Sequence, residues 1–255
     1  MRDTNILLFP AGYRDVQTPA EYQLDMINTA MNAIQSSTCI RFINRTNEKN
    51  YIITKNTSLG CFSDGVGMKG GEQIVSYMDT DLFGSCFVHR VIIHELLHAV
   101  GLWHEHARYD RDEFVQVHLE NVENTTKARR NFDKIPQIMS DTYGIPYNYK
   151  SVMHYDKLAF SDNGNVTMET VDADYQDIIG QVEYAHELDF EKIRRIYNCR
   201  GTYAAVTNPP TTTIDPNACI DLHPTMCDTF KEFCSAEDWM HLNCIKTCGL
   251  CDDGE

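Results

Sequence analysis

The chain has 255 residues and a formal charge of −15, with 42% apolar and 23% charged residues. That is enough sequence for a packed core and more than one domain, in the composition range of water-soluble globular proteins. No window approaches the length of uninterrupted apolar sequence that a spanning helix needs, so no membrane insertion is expected, and the acidic balance argues against nucleic acid or anionic membranes as partners.

In chain order, Met1 to Asn5 is followed by an apolar run, Ile6 to Phe9, too short for the core of a signal peptide. Thr18-Pro19-Ala20-Glu21 reads as a capping box with proline at the first helical position. Tyr22, Met26, Ala30 and Ile34 then recur at helical spacing, which predicts an amphipathic helix to about Ser36. Runs rich in β-formers at 40–43, 51–54 and 73–78 predict short strands bounded by Asn and Gly. A helix is expected to begin near Val88, and another over 188–197 offers Phe190, Ile193 and Tyr197 to a core.

The second of these helices carries the most specific chemistry in the chain. His94-Glu95-Leu96-Leu97-His98-Ala99-Val100-Gly101-Leu102-Trp103-His104 has the form H-E-x-x-H-x-x-G-x-x-H. Four residues apart on a helix, His94 and His98 project from one face and can grip one metal ion. Gly101 can end the helix in a left-handed conformation, so the chain doubles back and His104 supplies a third nitrogen. Three protein ligands leave a coordination position open, the mark of a catalytic zinc site. Glu95, between the first two ligands, is placed to take a proton from water there.

The extended motif, with Ser151-Val152-Met153-His154-Tyr155 about fifty residues on, resembles the metzincin zinc peptidases and their methionine turn. Glu105, Arg108 and Asp110 after the third histidine narrow the likeness to the astacin family. So do Thr38-Cys39-Ile40-Arg41-Phe42, Gly60-Cys61-Phe62-Ser63 and Pro146-Tyr147-Asn148-Tyr149. The resemblance covers most of residues 20–200 and implies an α+β, zincin-like fold with a mixed sheet, a catalytic zinc helix and the methionine turn. It implies one Zn(2+) per chain held by His94, His98 and His104, with Tyr155 as a further ligand that swings away to stabilise the oxyanion. Glu95 would be general base and then general acid, Met153 a structural floor, and Glu105 a structural partner of the mature amino terminus. It also implies the disulfides Cys39–Cys199 and Cys61–Cys86. Gly60–Ser63 would begin the substrate-binding edge strand, to which Asp64-Gly65 adds a residue. Asn148 stands where the family usually has aspartate. Family members with arginine after Gly180-Gln181 favour acidic residues beyond the scissile bond; Val182 predicts a weaker preference of that kind.

Ten cysteines split into four before residue 200 and six from Cys219 to Cys251, an even count in each block that suggests disulfides and an oxidising compartment. Sequons at Asn44, Asn56, Asn124 and Asn165 suit a glycosylated, secreted protein, with signal and pro-segment expected outside this chain. The expected domains are a peptidase domain over 1–200, a Thr/Pro-rich linker over 201–218, and a small cysteine-dense unit over 219–251 that needs bridges in place of a core. The last ends Thr247-Cys248-Gly249-Leu250-Cys251 and is similar to the ShK toxin-like domain. That likeness implies Cys219–Cys251, Cys227–Cys244 and Cys234–Cys248, whereas sequence alone leaves the pairing open. Between Cys234 and Cys244 there is no lysine beside Trp239, which disfavours channel block. The reading is a secreted zinc endopeptidase acting on extracellular proteins or peptides, with the tail as a matrix or cell-surface docking module. The alternative is an inactive or incompletely matured protease fold that only binds, through the tail.

Overall fold

A computed structural model describes residues 5–7, 21–57, 59–80, 84–201 and 203. Outside these lie Thr18 and Pro19 of the expected capping box, nearly all of the expected linker, and all six cysteines from Cys219 to Cys251 with their three expected bridges. The chain divides into two compact units after Val206, with Ala20–Tyr22 grouped with the second; the elements below belong to the first, apart from the start of α1.

Strand β1 (Asn5–Leu7) runs parallel to β2 (Arg41–Ile43), with α1 (Glu21–Ser37) between them in sequence. The buried face of α1 is Gln23, Ile27, Ala30, Met31 and Ile34, while Tyr22 and Met26 are only half-buried. The expected stripe is therefore rotated by one position at its start. Met26 and Ile27 are adjacent apolar residues, so the helical period fits either, and packing selects the second. The Thr38 hydroxyl donates to Ile34 O (2.6 Å) and accepts from Ile40 N (3.1 Å), turning the chain from helix into β2.

Strands β3 (Tyr51–Lys55), β4 (Phe62–Ser63) and β5 (Glu72–Ser76) form a mixed sheet in the order β3-β5-β4, with β3 parallel and β4 antiparallel to β5. β4 is thus an edge. A small hairpin, β6 (Asp79–Thr80) with β7 (Gly84–Ser85), leads into α2 (His89–Ala99). Ile92, Ile93, Leu96, Leu97 and Val100 are all buried, and Tyr77 donates its hydroxyl to Ile92 O (3.1 Å), fixing α2 to the chain that leaves β5. Cys61 is bonded to Cys86, tying the edge strand to the approach to α2.

The following ninety residues have little regular structure: β8 (Val115–Val117) pairs antiparallel with β9 (Met168–Thr170), and α3 (Thr126–Arg130) is barely more than a turn. What organises them is a separate apolar cluster of Val115, Val122, Ala128, Phe132, Tyr147, Met168 and Ile179. Helix α4 (Glu187–Ile196) starts with a capping box between His186 and Asp189. It buries Phe190 and Ile193, and Tyr197 donates its hydroxyl to Val100 O (3.0 Å), locking α4 to the end of α2. Cys39 is bonded to Cys199, joining the end of α1 to the end of α4 across 160 residues. Of the sequon asparagines, Asn44, Asn124 and Asn165 are exposed and Asn56 is half-buried.

Candidate metal centre and active site

Helix α2 ends in a Schellman motif. Leu102 N donates to Leu97 O (2.9 Å) and Gly101 N to His98 O (2.9 Å), with Gly101 at φ +112°. A side chain at Gly101 would meet only the tip of Ile196 at 4.0 Å, so the backbone conformation, not space, is what calls for glycine. The reversal carries His104 back over the face of α2 that holds His94 and His98. The Nε2 atoms of His94 and His104 lie 3.2 Å apart, and those of His98 and His104 3.1 Å apart.

These spacings fit a tetrahedral ion, for which nitrogen ligands at roughly 2.05 Å stand about 3.3 Å from one another. The opposite ring nitrogens set the tautomer. His94 Nδ1 sits 2.8 Å from Val152 O and His98 Nδ1 2.7 Å from Leu102 O, so each Nδ1 carries the proton and each Nε2 offers a lone pair. Burial lowers the basicity of all three rings, His98 to about 3, so they are neutral at physiological pH. Three buried lone pairs aimed at one point are mutually repulsive without a cation. The donor set fits zinc.

Glu95 is buried one turn into the same helix. Burial raises its pKa to about 7, with a hydrogen bond from the Ser63 backbone opposing the shift. A divalent ion held by the histidines would draw it back down, favouring the carboxylate form that can accept a proton. Burial, and secondarily the Glu95 charge, pushes the Tyr155 phenol up to about 12, which keeps it a hydrogen-bond donor.

The methionine turn holds this arrangement from below. Val152 O receives the His94 ring, and Met153 O accepts from Glu105 N (2.9 Å), the residue after the third histidine. Met153 itself is buried. His154 receives the Tyr147 hydroxyl at Nε2 (2.7 Å) and lies with Nδ1 2.6 Å from Tyr155 O, fixing the Tyr155 backbone. Gly180, at φ +70°, abuts the next residue: a Cβ there would stand 2.3 Å from Asp156 N. Val182 is half-buried just beyond.

Several buried polar groups near the site take contacts that their local sequence does not specify. Glu105 accepts from Arg108 Nη1 (2.9 Å) and from Asn148 N (2.9 Å), with Lys192 Nζ 3.8 Å away. Arg108 also donates to Ile145 O and Pro146 O and makes a bidentate pair with Asp110. The Asp189 carboxylate accepts hydrogen bonds from Ser151 Oγ (2.6 Å), Val152 N (3.2 Å), His186 N (2.9 Å) and Asn148 Nδ2 (3.3 Å). Burial still raises it to about 6. Asparagine at 148 is thereby explained: its amide donates to Asp189, where an aspartate would add a second buried carboxylate.

Residues 12–198 match the family described as Astacin, a peptidase family, and residues 218–251 match one described as ShK domain-like. Zinc metalloproteinase nas-6 of Caenorhabditis elegans is 35% identical over 248 residues, covering 90% of this chain and 69% of that protein. Zinc metalloproteinase nas-5 of the same organism is 40% identical over 176 residues, 69% of this chain, which spans about half (48%) of that protein. Among solved structures, high choriolytic enzyme 1, a hatching enzyme zinc-protease of the medaka fish Oryzias latipes, superposes with a TM-score of 0.65 at 33% identity, over 77% of this chain and 90% of that one. With a matching family over most of its length and a metal-competent histidine triad at its centre, the chain belongs to the astacin family of zinc metalloendopeptidases and carries a ShK-like domain.

Proposed function

We propose that the chain hydrolyses internal peptide bonds of extracellular proteins, with His94, His98 and His104 holding one zinc ion and Glu95 as general base. The observation that carries this is the convergence of three imidazole Nε2 atoms on one point, beside the buried carboxylate of Glu95 on α2. Zinc held by His94, His98 and His104 would supply Lewis acidity, making water a better nucleophile near neutral pH and the scissile carbonyl a better electrophile. Glu95 accepts the proton of the attacking water at its carboxylate and passes it to the departing amine, so one residue serves as base and then acid. Tyr155 would be a further ligand to the metal at rest and, released as a phenol, would donate its hydroxyl to the oxygen on which negative charge develops.

β4 supports the substrate reading. It is the edge of the mixed sheet and neighbours Glu95 through Ser63, so an extended peptide can add to it as a further strand. The resemblance puts Gly180–Val182 near the residue after the cleaved bond, and Val182 offers no cation there, which favours a weak rather than strong preference for acidic residues. Two disulfides and three exposed sequon asparagines suit secretion and glycosylation; among the described residues no helix is long and apolar enough to cross a membrane. The ShK-like domain is assigned a docking role on matrix or cell surface, and residues 1–200, 201–218 and 219–251 the peptidase, linker and docking parts.

The test is cleavage of a quenched peptide library by the full chain, with and without a chelator, beside Glu95→Gln. Chelator-sensitive turnover that Glu95→Gln abolishes at unchanged zinc content is expected. Zinc binding with no cleavage by the full chain would sink the reading and favour a fold kept for binding.

A further inference from the structure

His106 has no part in the chemistry above, yet it is among the most completely enclosed of the described residues. It lies in the 3-10 turn Glu105–Ala107 immediately after the third histidine. Its ring lies against that of Tyr155, with centroids 4.0 Å apart and planes 30° apart, the closest ring pair among the described residues. His104 closes a triangle with these two, at 5.4 Å from His106 and 4.7 Å from Tyr155. Phe132 meets Tyr155 edge-on at 6.1 Å and Phe160 stands 5.8 Å away, so the phenol ring occupies an aromatic box.

Two hydrogen-bonding groups fix the box from behind. His106 Nε2 is 3.0 Å from Asn131 O, which requires the proton on Nε2 and sets the plane of the ring. Arg111 Nη1 donates both to His106 O (3.0 Å) and to Phe132 O (2.7 Å), so one buried guanidinium anchors the backbone of two walls. His106 Nδ1 is buried without a partner, so the ring has no second polar tie and its exposed chemistry is its face. A phenyl ring at 106 would offer the same face but leave Asn131 O without this donor.

We propose that His106 is a positioning residue for Tyr155. Its ring is the surface against which the phenol packs, and it sets where the Tyr155 hydroxyl stands relative to the three metal-binding imidazoles. This rests on the role assigned to Tyr155 above. Because the contact is between ring faces, shape and aromaticity carry it, and a ring without the nitrogen atoms preserves most of it.

The experiment uses the full chain loaded with copper(II) in place of zinc, since a phenol that ligates copper as phenolate gives a charge-transfer band in the visible. Wild type is expected to show the band and Tyr155→Phe to lose it. His106→Ala should shift or weaken the band with copper still bound stoichiometrically, and in the zinc form kcat should fall about ten- to a hundredfold with KM changed less than about twofold. His106→Phe should restore both. A band that survives Tyr155→Phe overturns the assignment of Tyr155 and this proposal with it. A band lost in Tyr155→Phe but untouched in His106→Ala, with kcat intact, overturns the role of His106 alone. Should His106→Ala not fold, the tyrosine ring resonances of the unmutated chain, assigned with Tyr155→Phe, decide: stacking predicts an upfield ring-current shift for Tyr155, and an ordinary position refutes it.

Discussion

The two sides of the metal centre are built by different means. Above it, one regular helix places His94, Glu95 and His98 by its own periodicity, and a local capping motif returns His104. Below it, the chain has almost no regular structure, and the methionine turn is held by side chains reaching from far away in sequence: Asp189 across 38 residues to Ser151, and Glu105 across 43 to Asn148. The upper half is therefore robust to loss of single contacts, because each backbone bond of α2 is local. The lower half stands on buried charges whose partners must all be present, and removing one leaves the rest unpaired in a poor solvent for them.

The largest effect expected is on the upper half, and it should be chemical, not structural. His98→Ala should lose zinc and all measurable turnover, while Glu95→Gln should keep zinc and lose about a hundred- to ten-thousandfold in kcat. Metal analysis and circular dichroism on both variants check this; a Glu95→Gln protein without zinc would show that the helix is not an independent scaffold.

Next comes the bond that joins α1 to α4. Opening Cys39–Cys199 by a double Cys→Ala change should cost roughly 5 kcal/mol in the chain-entropy treatment of a 160-residue loop, read as a lower urea midpoint. A loss well under half of that would mean that α4 is held mainly by Tyr197, Phe190 and Ile193.

Asn148→Asp probes the lower half directly and should destabilise by about 1–3 kcal/mol at neutral pH. The sign with pH follows from Asp189. Its folded pKa of about 6 lies above its ordinary 3.8, so its contribution to stability is fully present below that ordinary value and is lost as pH rises through about 6. A second carboxylate at 148 can only sharpen this. The deficit of the variant against wild type should be small near about pH 4 and full above about pH 7, by denaturant melts at both. A deficit independent of pH would remove charge from the explanation.

The smallest effect expected is one of selectivity. Val182→Arg should raise the preference for Asp or Glu after the scissile bond by about two- to fivefold, the size of one solvent-exposed charge contact, with little change on neutral peptides. Library profiling reads it, and an unchanged profile would separate the Gly180–Val182 segment from the substrate.

Much of the site was legible in the residues because the metal motif is local: its spacing is the helical period, interrupted by a glycine that permits the reversal. The strands at 51–55 and 72–76, the start of α2 after Val88 and the helix at 187–196 were legible for the same reason. The face of α1 was read one position out at its start, since two apolar residues side by side satisfy the period equally well. The roles of His106, Arg111, Asn148, Asp189 and Lys192 had no local signature, and Arg108 was visible only as part of a resemblance.

Sequence by itself thus picked out the three imidazoles that can hold a metal, the carboxylate beside them and the helix that carries them, because those depend on residue type and spacing within one turn or two. Tertiary structure alone decided which way the imidazoles are protonated, how the methionine turn is suspended and what Tyr155 rests against. Each of these depends on a carbonyl, a carboxylate or a ring delivered from tens of residues away, and in a buried site such a group is worth its contact only when the whole fold brings it within hydrogen-bonding or van der Waals reach.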